Sequence, residues 1–360
     1  MNIKKISEKI LENKPKNALV GFDGFIDELN YVVEKKIDDE NFIKVKTIAD
    51  FGKKISSAAG LSLNIEFRTF KKKLGGNGPI MASALLSQDV NVDYIGALGE
   101  NSIDDIYKDF AHRCNHVFSL ANPGHTDALE FEDGKLMLGK MSNLRKVNWN
   151  ELMTKTSLEN ITSILKNTDL IAFTNWTMIT KMDTFFEAFS DILKRINRSS
   201  YIFVDLADPS KRKNEDIKKA LNQISKMQNP GRVILGMNAN ESKIIAKILN
   251  IETDDYLERV SDIREKLNIE FAVIHPREGA AISYDKKSFW VDGPFCEKPL
   301  YSTGAGDNFN AGFCSGLLSG LEPVDCLITG VYTSGYYVRK GISPNKKELL
   351  DFLIGYNDHK

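Results

Sequence analysis

Cysteine is scarce: four residues in 360, at Cys114, Cys296, Cys314 and Cys326, with no C-x-x-C pair among them. Thiols so sparse and scattered in a chain this long read as reduced, as in a cytosolic protein. Long apolar runs are also missing, and none approaches the ~20 residues that cross a bilayer. Residues 1–15 are polar and lysine-rich and lack the apolar centre of a signal peptide. Excess basic charge is absent: 48 Lys and Arg against 49 Asp and Glu leave a formal net charge of -1, which argues against nucleic acid as a partner. No repeat, low-complexity run or interdomain linker divides the sequence. What remains is the composition of a cytoplasmic globular protein, long enough to bury a sizeable core.

Hydrophobic periodicity then sets the class. Ile3, Ile6, Ile10 and Leu11 fall on one helical face. Asn17–Val20 reads as a strand, followed by the Gly/Asp-rich stretch Gly21-Phe-Asp23-Gly-Phe-Ile-Asp27-Glu28. Asp50–Ala59 reads as a helix, and Ile65–Phe70 as a half-exposed strand. Ile80–Leu86 reads as a helix with Pro79 in its first turn, and Val90–Leu98 as a strand. Residues 103–118 are expected to form one helix, with His112 and His116 on a shared face. Asp133-Gly134, flanked by alternating segments, signals a β-hairpin. From Trp149 onward strand and helix alternate: strands at Leu170–Thr174, Tyr201–Asp205, Arg232–Gly236 and Phe271–His275, then a hairpin over Ala280–Val291. That alternation predicts an α/β fold whose parallel sheet is covered on both faces.

Three glycine- or asparagine-bearing turns carry the chemistry. Thr303-Gly304-Ala305-Gly306-Asp307 leads straight into a helix of small and apolar residues. Its uncovered first-turn N–H groups attract anions, phosphate above all. A carboxylate at that place, Asp307, is repelled by the ligand its own turn invites, which suits a general base working beside a phosphate. Gly75-Gly76-Asn77 permits close approach by a ligand, and the Asn77 amide both donates and accepts, as a polyol requires. Asn238-x-x-Glu241 has the spacing of a helix capping box. Asp23 and Asp27 stand near the end of the first strand, where open α/β sheets bind ligands; an ordinary Gly/Asp turn would leave the same residues.

In their order and separation these motifs resemble the PfkB (ribokinase-like) family of sugar and nucleoside kinases, from about Val20 to about Leu350. TGAGDNFNAGF and GGNGPIMASALLSQDVNVDYIGALGE carry the resemblance. It implies a single domain over residues 1–360, a three-layer α/β/α sandwich with a small β-lid from approximately 28–74 and 124–142. It implies ATP- and Mg2+-dependent phosphorylation of a sugar hydroxyl. Asp307 would be the base, and Gly304, Ala305 and Gly306 the anion hole. Asp27 or Asp23, with Gly75, Gly76 and Asn77, would hold the acceptor. Asn238, Arg277, Gly279 and Thr303 would bind the nucleotide, and Glu241 would organise Mg2+ through water. Tyr301 stands where many members carry an aspartate of a monovalent-cation site, which argues against potassium activation. Pro276 departs from the usual nucleotide loop. A nucleoside kinase, or a silent family member acting as a binding protein, would share the fold, and the family's lids allow a homodimer.

Overall fold

A computed structural model describes residues 3–12 and 14–357. Its strands are β1 (Asn17–Gly21), β2 (Phe25–Lys36), β3 (Phe42–Lys44), β4 (Phe67–Gly75), β5 (Asn91–Gly96), β6 (His116–Ser119) and β7 (Gly124–Phe131). They continue as β8 (Gly134–Lys140), β9 (Leu170–Phe173), β10 (Tyr201–Asp205), β11 (Arg232–Met237), β12 (Phe271–Ile274), β13 (Gly279–Tyr284) and β14 (Lys287–Asp292).

Period-two alternation of buried side chains builds three layers. Leu19, Ile202, Val204, Val233 and Leu235 face one apolar core, packed with Phe185, Phe189 and Leu193. Ala18, Val20, Phe203 and Ile234 face the other, packed with Met81, Leu85, Phe313 and Leu327. The nine-stranded sheet between them has the order β14-β13-β12-β11-β10-β9-β1-β5-β6. Pairs from β12 to β6 are parallel, and β13 and β14 close one edge antiparallel. No helix among the described residues is long and apolar enough to cross a membrane.

A second sheet stands at the carboxyl end of β1. Its spine is β2, paired in parallel with β7 and antiparallel with β4, with β3 at its far end and β8 beyond β7. The register sets Asp27 opposite Lys73 on β4 and opposite Thr126 on β7. Directly facing residues share a side of the sheet, so these three present one polar patch toward the large sheet.

Local expectation and observed structure part at three places. Residues 103–118 form a 3-10 turn at Asp105–Tyr107, a helix at Lys108–Arg113 and then β6. His116 therefore shares no helix face with His112; its Nδ1 lies 2.7 Å from Asp93. Val117 and Phe118 gain a parallel ladder with β5, which outweighs helical spacing in so short a segment. The strand expected at Ile65–Phe70 runs instead from Phe67 through three lysines to Gly75, because its ladder with β2 overrides local charge. Leu11, expected on an apolar face with Ile6 and Ile10, is 60% exposed.

Asp23 joins the two sheets to the nearest helix. Its Oδ2 accepts from Asn77 N–H at 3.0 Å and its Oδ1 from Gly78 N–H at 2.8 Å, capping the helix Asn77–Ser87. The Asn175 amide, just past β9, donates to Oδ2 at 2.6 Å. Its own carbonyl accepts from Tyr94 OH at 2.8 Å. Replacing Asp23 with alanine strands three buried donors, each worth about 1–3 kcal/mol when unpaired. The expected outcome for Asp23→Ala is a loss of about 3 kcal/mol or more in urea unfolding at pH 7; a loss below about 1 kcal/mol would contradict this cap.

Candidate active site

The carboxyl ends of β1, β9, β10 and β11 deliver Asp23, Asn175, Asp205 and Asn238 to one edge of the large sheet, the place where parallel sheets leave open crevices. Two cavities meet there. One, of ≈ 400 Å³, lies under the small sheet and is bordered by Asp27, Gly76, Asn77, Thr303, Gly304 and Asp307. The other, of ≈ 580 Å³, lies beside it and is bordered by Arg277, Gly279, Phe295, Cys296, Ala305 and Val331. Asn238, His275 and Gly306 border both.

The catalytic-looking turn is built by its glycines. Gly304 caps the helix Ala305–Leu318 with φ 91°, and a Cβ there would meet Tyr337 Oη at 2.8 Å. Tyr337 OH donates to Thr303 O at 2.9 Å and fixes the approach to the turn. One expected anion donor is already engaged: Ala305 N–H donates to Ser302 O at 3.2 Å. The donors left to receive an anion are those of Gly304 and Gly306, and Gly306 sits at the cavity junction.

Asp307 occupies the first turn of that helix and is buried. The Asn77 amide donates to its Oδ1 at 2.9 Å, so two of the sequence motifs meet in one hydrogen bond. Burial, with added repulsion from Asp23 and Glu241, pushes its pKa up to about 8 against the pull of Asn77.

The two candidate acceptor aspartates separate cleanly. Asp27 borders the cavity; burial raises its pKa, opposed by Lys73 and by the Thr126 hydrogen bond. Gly75 leaves it room, since a Cβ there would meet the Asp27 carboxylate at 2.6 Å. Asp23 is instead fully buried as the helix cap, with burial raising its pKa to about 6. Asp23 and Gly75 border neither cavity.

Asn238 and Glu241 form the capping box in full. Asn238 Oδ1 accepts from Glu241 N–H at 2.9 Å, and Glu241 Oε2 accepts from Asn238 N–H at 2.8 Å. Glu241 Oε1 accepts further from Asp208 N–H at 3.0 Å. Both residues also border the cavity. Of the residues expected at the nucleotide, Arg277 and Gly279 lie in the larger cavity, Asn238 in both, and Thr303 in the smaller one only.

Sequence reasoning missed three contributors. Asp205 closes an apolar strand, Tyr-Ile-Phe-Val-Asp, and that strand-end carboxylate was the available signal. Burial, then Glu241 and Asp307, push it well above the usual carboxylate range. His275 is stacked on Phe309 with ring centroids 4.6 Å apart, and burial pulls its pKa down to about 4, so it is neutral. Asn175 holds φ 59° and donates to Asp23, while its buried Oδ1 has no partner among the described residues. Tyr301 takes the Lys71 ammonium on its hydroxyl at 3.0 Å, and the ammoniums of Lys71 and Lys73 both lie 5.2 Å from its ring centre.

A buried carboxylate on a glycine turn, set between two cavities at the sheet's carboxyl edge with a small sheet above, defines a kinase of the ribokinase-like, PfkB class. The chain belongs to the prokaryotic ketohexokinase family, whose description matches residues 2–356. It is an ATP-dependent phosphotransferase acting on an alcohol group. It is 25% identical to a ketohexokinase of Haloferax volcanii over 346 residues, 95% of this chain and 92% of that one. In fold it is similar to Arabidopsis thaliana ribokinase complexed with ribose and ATP, at TM-score 0.65 and 16% identity, covering 94% and 98% of the two chains. It is also similar in fold to the nucleoside kinase of Methanocaldococcus jannaschii, at TM-score 0.60 and 15% identity, covering 95% and 99%.

The raised pKa of Asp307 has a consequence for stability. Folding favours its protonated form, so this contribution is full below the unfolded pKa of about 4 and is lost as pH rises through about 8. Asp307→Asn keeps an acceptor for Asn77 and removes the loss. The variant is expected to be more stable than wild type at pH 9, by an amount on the order of 2–5 kcal/mol that shrinks toward pH 5, and to unfold at a correspondingly higher temperature. Calorimetric scans at the two pH values check this; a variant less stable than wild type at pH 9 would contradict it.

Proposed function

We propose that the protein transfers the γ-phosphoryl group of ATP to a hydroxyl of a ketohexose, with Asp307 as the general base. The observation that carries this reading is the meeting of two cavities at Gly306, with Asp307 on the side of the smaller one. The larger cavity suits the nucleotide, with Arg277 and Gly279 along it. The smaller suits a sugar: Asp27, Thr126, Asn77 and Asn175 line it with polar groups.

The residues divide the work of an in-line displacement. Asn77 holds Oδ1 of Asp307 and leaves Oδ2 to take the proton of the attacking hydroxyl. The acceptor oxygen bonds to the γ-phosphorus, and the bond to the β-bridging oxygen breaks. Charge on the transferred group falls to the N–H donors of Gly304 and Gly306, which need no reorganisation. Burial lifts the basicity of Asp307, and positive charge brought in with the nucleotide would return it to the ionised form that accepts the hydroxyl proton.

The donor set fits a divalent cation. Asp205 and Glu241 are buried carboxylates raised by burial, and Asp205 is raised further by Glu241, and positive charge would relieve both. Mg2+, when bound, supplies neutralisation of the phosphates; Glu241 would hold it through water, since its two oxygens already accept N–H donors. The two ammonium groups on Tyr301 support a reaction independent of potassium.

The small sheet serves as a lid that excludes water from the transfer. Its exposed Phe67, Phe70, Met137 and Leu138 support a homodimer formed through it. The four cysteines are free thiols, in keeping with a cytoplasmic location. A nucleoside acceptor has one observation in its favour, a 32% identity with the Methanocaldococcus jannaschii nucleoside kinase over 112 residues, 31% of this chain.

Turnover on a panel of ketohexoses, aldoses and nucleosides with Mg-ATP tests the reading. A ketohexose is expected to give the highest kcat/KM, and Asp307→Asn to lower kcat by about 10²–10⁴-fold while still binding Mg-ATP. Preference for a nucleoside would move the acceptor assignment, and near-normal turnover by the variant would remove Asp307 as the base.

A further inference from the structure

The cavity under the small sheet is acidic. Asp27, Asp205, Asp208, Glu241 and Asp307 border it, and Lys211 is the one lysine or arginine among the described residues that does so. The neutral His275 adds no charge, and Arg277 lies in the neighbouring cavity. Lys73, set opposite Asp27, answers that acid at the small sheet; among the described residues bordering the cavity, a terminal phosphate entering from the nucleotide side meets like charge from the ionised acids and opposite charge from Lys211.

Lys211 is held in place by its loop. After β10 the chain turns through Ala207 and Asp208, with φ 51° and 55°, and closes in a 3-10 turn over Pro209–Lys211. Asp208 N–H donates to Glu241 Oε1 at 3.0 Å, and Ser210 OH donates to Asp208 Oδ1 at 2.5 Å. Arg212 is stacked on Trp176, 4.3 Å from its ring centre, and fixes the far end. The Lys211 ammonium rests 3.3 Å from Asp208 Oδ2, with side chains 55% and 41% exposed. An ion pair so open to water is held weakly, and a phosphate oxygen competes for it readily.

We infer that Lys211 is a phosphoryl-binding residue whose ammonium leaves Asp208 for the γ-phosphate of ATP and follows that group to the acceptor. The inference rests on the kinase reading above. Lys211 exchanges no proton; the hydroxyl proton goes to Asp307, and the bonds made and broken are those of the displacement. Its charge stabilises the transferred group, where charge spreads over three oxygens. Because its loop is tied to Glu241, the lysine and the metal-organising carboxylate are positioned as one unit.

Such a residue distinguishes nucleotides that carry a γ-phosphate from those that do not. Lys211→Met and Lys211→Arg, compared with wild type by calorimetric titration with Mg-ADP and with Mg-AMP-PNP, read this directly. Lys211→Met is expected to bind Mg-ADP within about 2-fold of wild type and Mg-AMP-PNP about 10-fold or more weakly, the size of one lost charge-assisted hydrogen bond. Its kcat is expected to fall about 100-fold, with most of both losses recovered in Lys211→Arg. Equal weakening toward the two nucleotides would mark a merely structural loop residue and overturn the inference. So would AMP-PNP binding and kcat within about 3-fold of wild type. Should the wild type phosphorylate no acceptor, the kinase reading fails, while the ADP and AMP-PNP titrations still decide for or against Lys211.

Discussion

The carboxylate of Asp23 is the contact on which the site's geometry depends. Ionised or not, it is fully enclosed, and it gathers N–H donors from the start of one helix and an amide from the end of β9. Helix Asn77–Ser87 has no side-chain cap of its own, so its first turn is satisfied from across the fold. That turn carries Asn77, whose amide reaches Asp307. Two hydrogen bonds thus connect the end of the first strand to the head of the helix Ala305–Leu318. A buried polar chain of this kind fixes one arrangement because every alternative leaves donors unpaired in a dry interior.

Charge explains the rest of the site. Four acids, Asp23, Asp205, Glu241 and Asp307, are pushed upward by burial before any neighbour acts. Repulsion among them compounds the effect at two, with Asp205 pressed by Glu241 and Asp307 and Asp307 pressed by Asp23 and Glu241. A folded protein tolerates such crowding when protons or cations are at hand. The same crowding raises the proton affinity of Asp307 and is of a kind that positive charge would relieve.

How much of this could be read from the sequence varied with the range of the interaction. Thr303–Asp307 was legible because glycine, helix start and carboxylate lie within five residues, and local rules govern all three. The alternation of strand and helix after Trp149 was legible because parallel sheets buried on both faces leave apolar strands of distinctive length. Asp23 and Asp27 were not separable, since both sit in one Gly/Asp stretch. Only the start of β2 at Phe25 sends one into the core and the other to the cavity. Asp205, His275 and Asn175 come from the ends of different strands, and nothing local marks them as neighbours. His116 was misread because the partner that makes it a strand residue, β5, lies more than twenty positions earlier.

β2 leaves the large sheet's edge two residues after Asp23 and becomes the spine of the small sheet, while Gly24 O accepts from Gly124 N–H at 2.8 Å at the point of departure. Asp27, the residue proposed to face the sugar, therefore belongs to the small sheet and not to the floor of the cavity. Any swing of the small sheet about that junction carries Asp27 with it. Acceptor affinity and cover position are then linked quantities: an acceptor that engages Asp27 lends its binding free energy to closure, and one that cannot do so leaves the cover without that pull. On the proposed reading, discrimination among sugars would in this way be converted into discrimination among conformations.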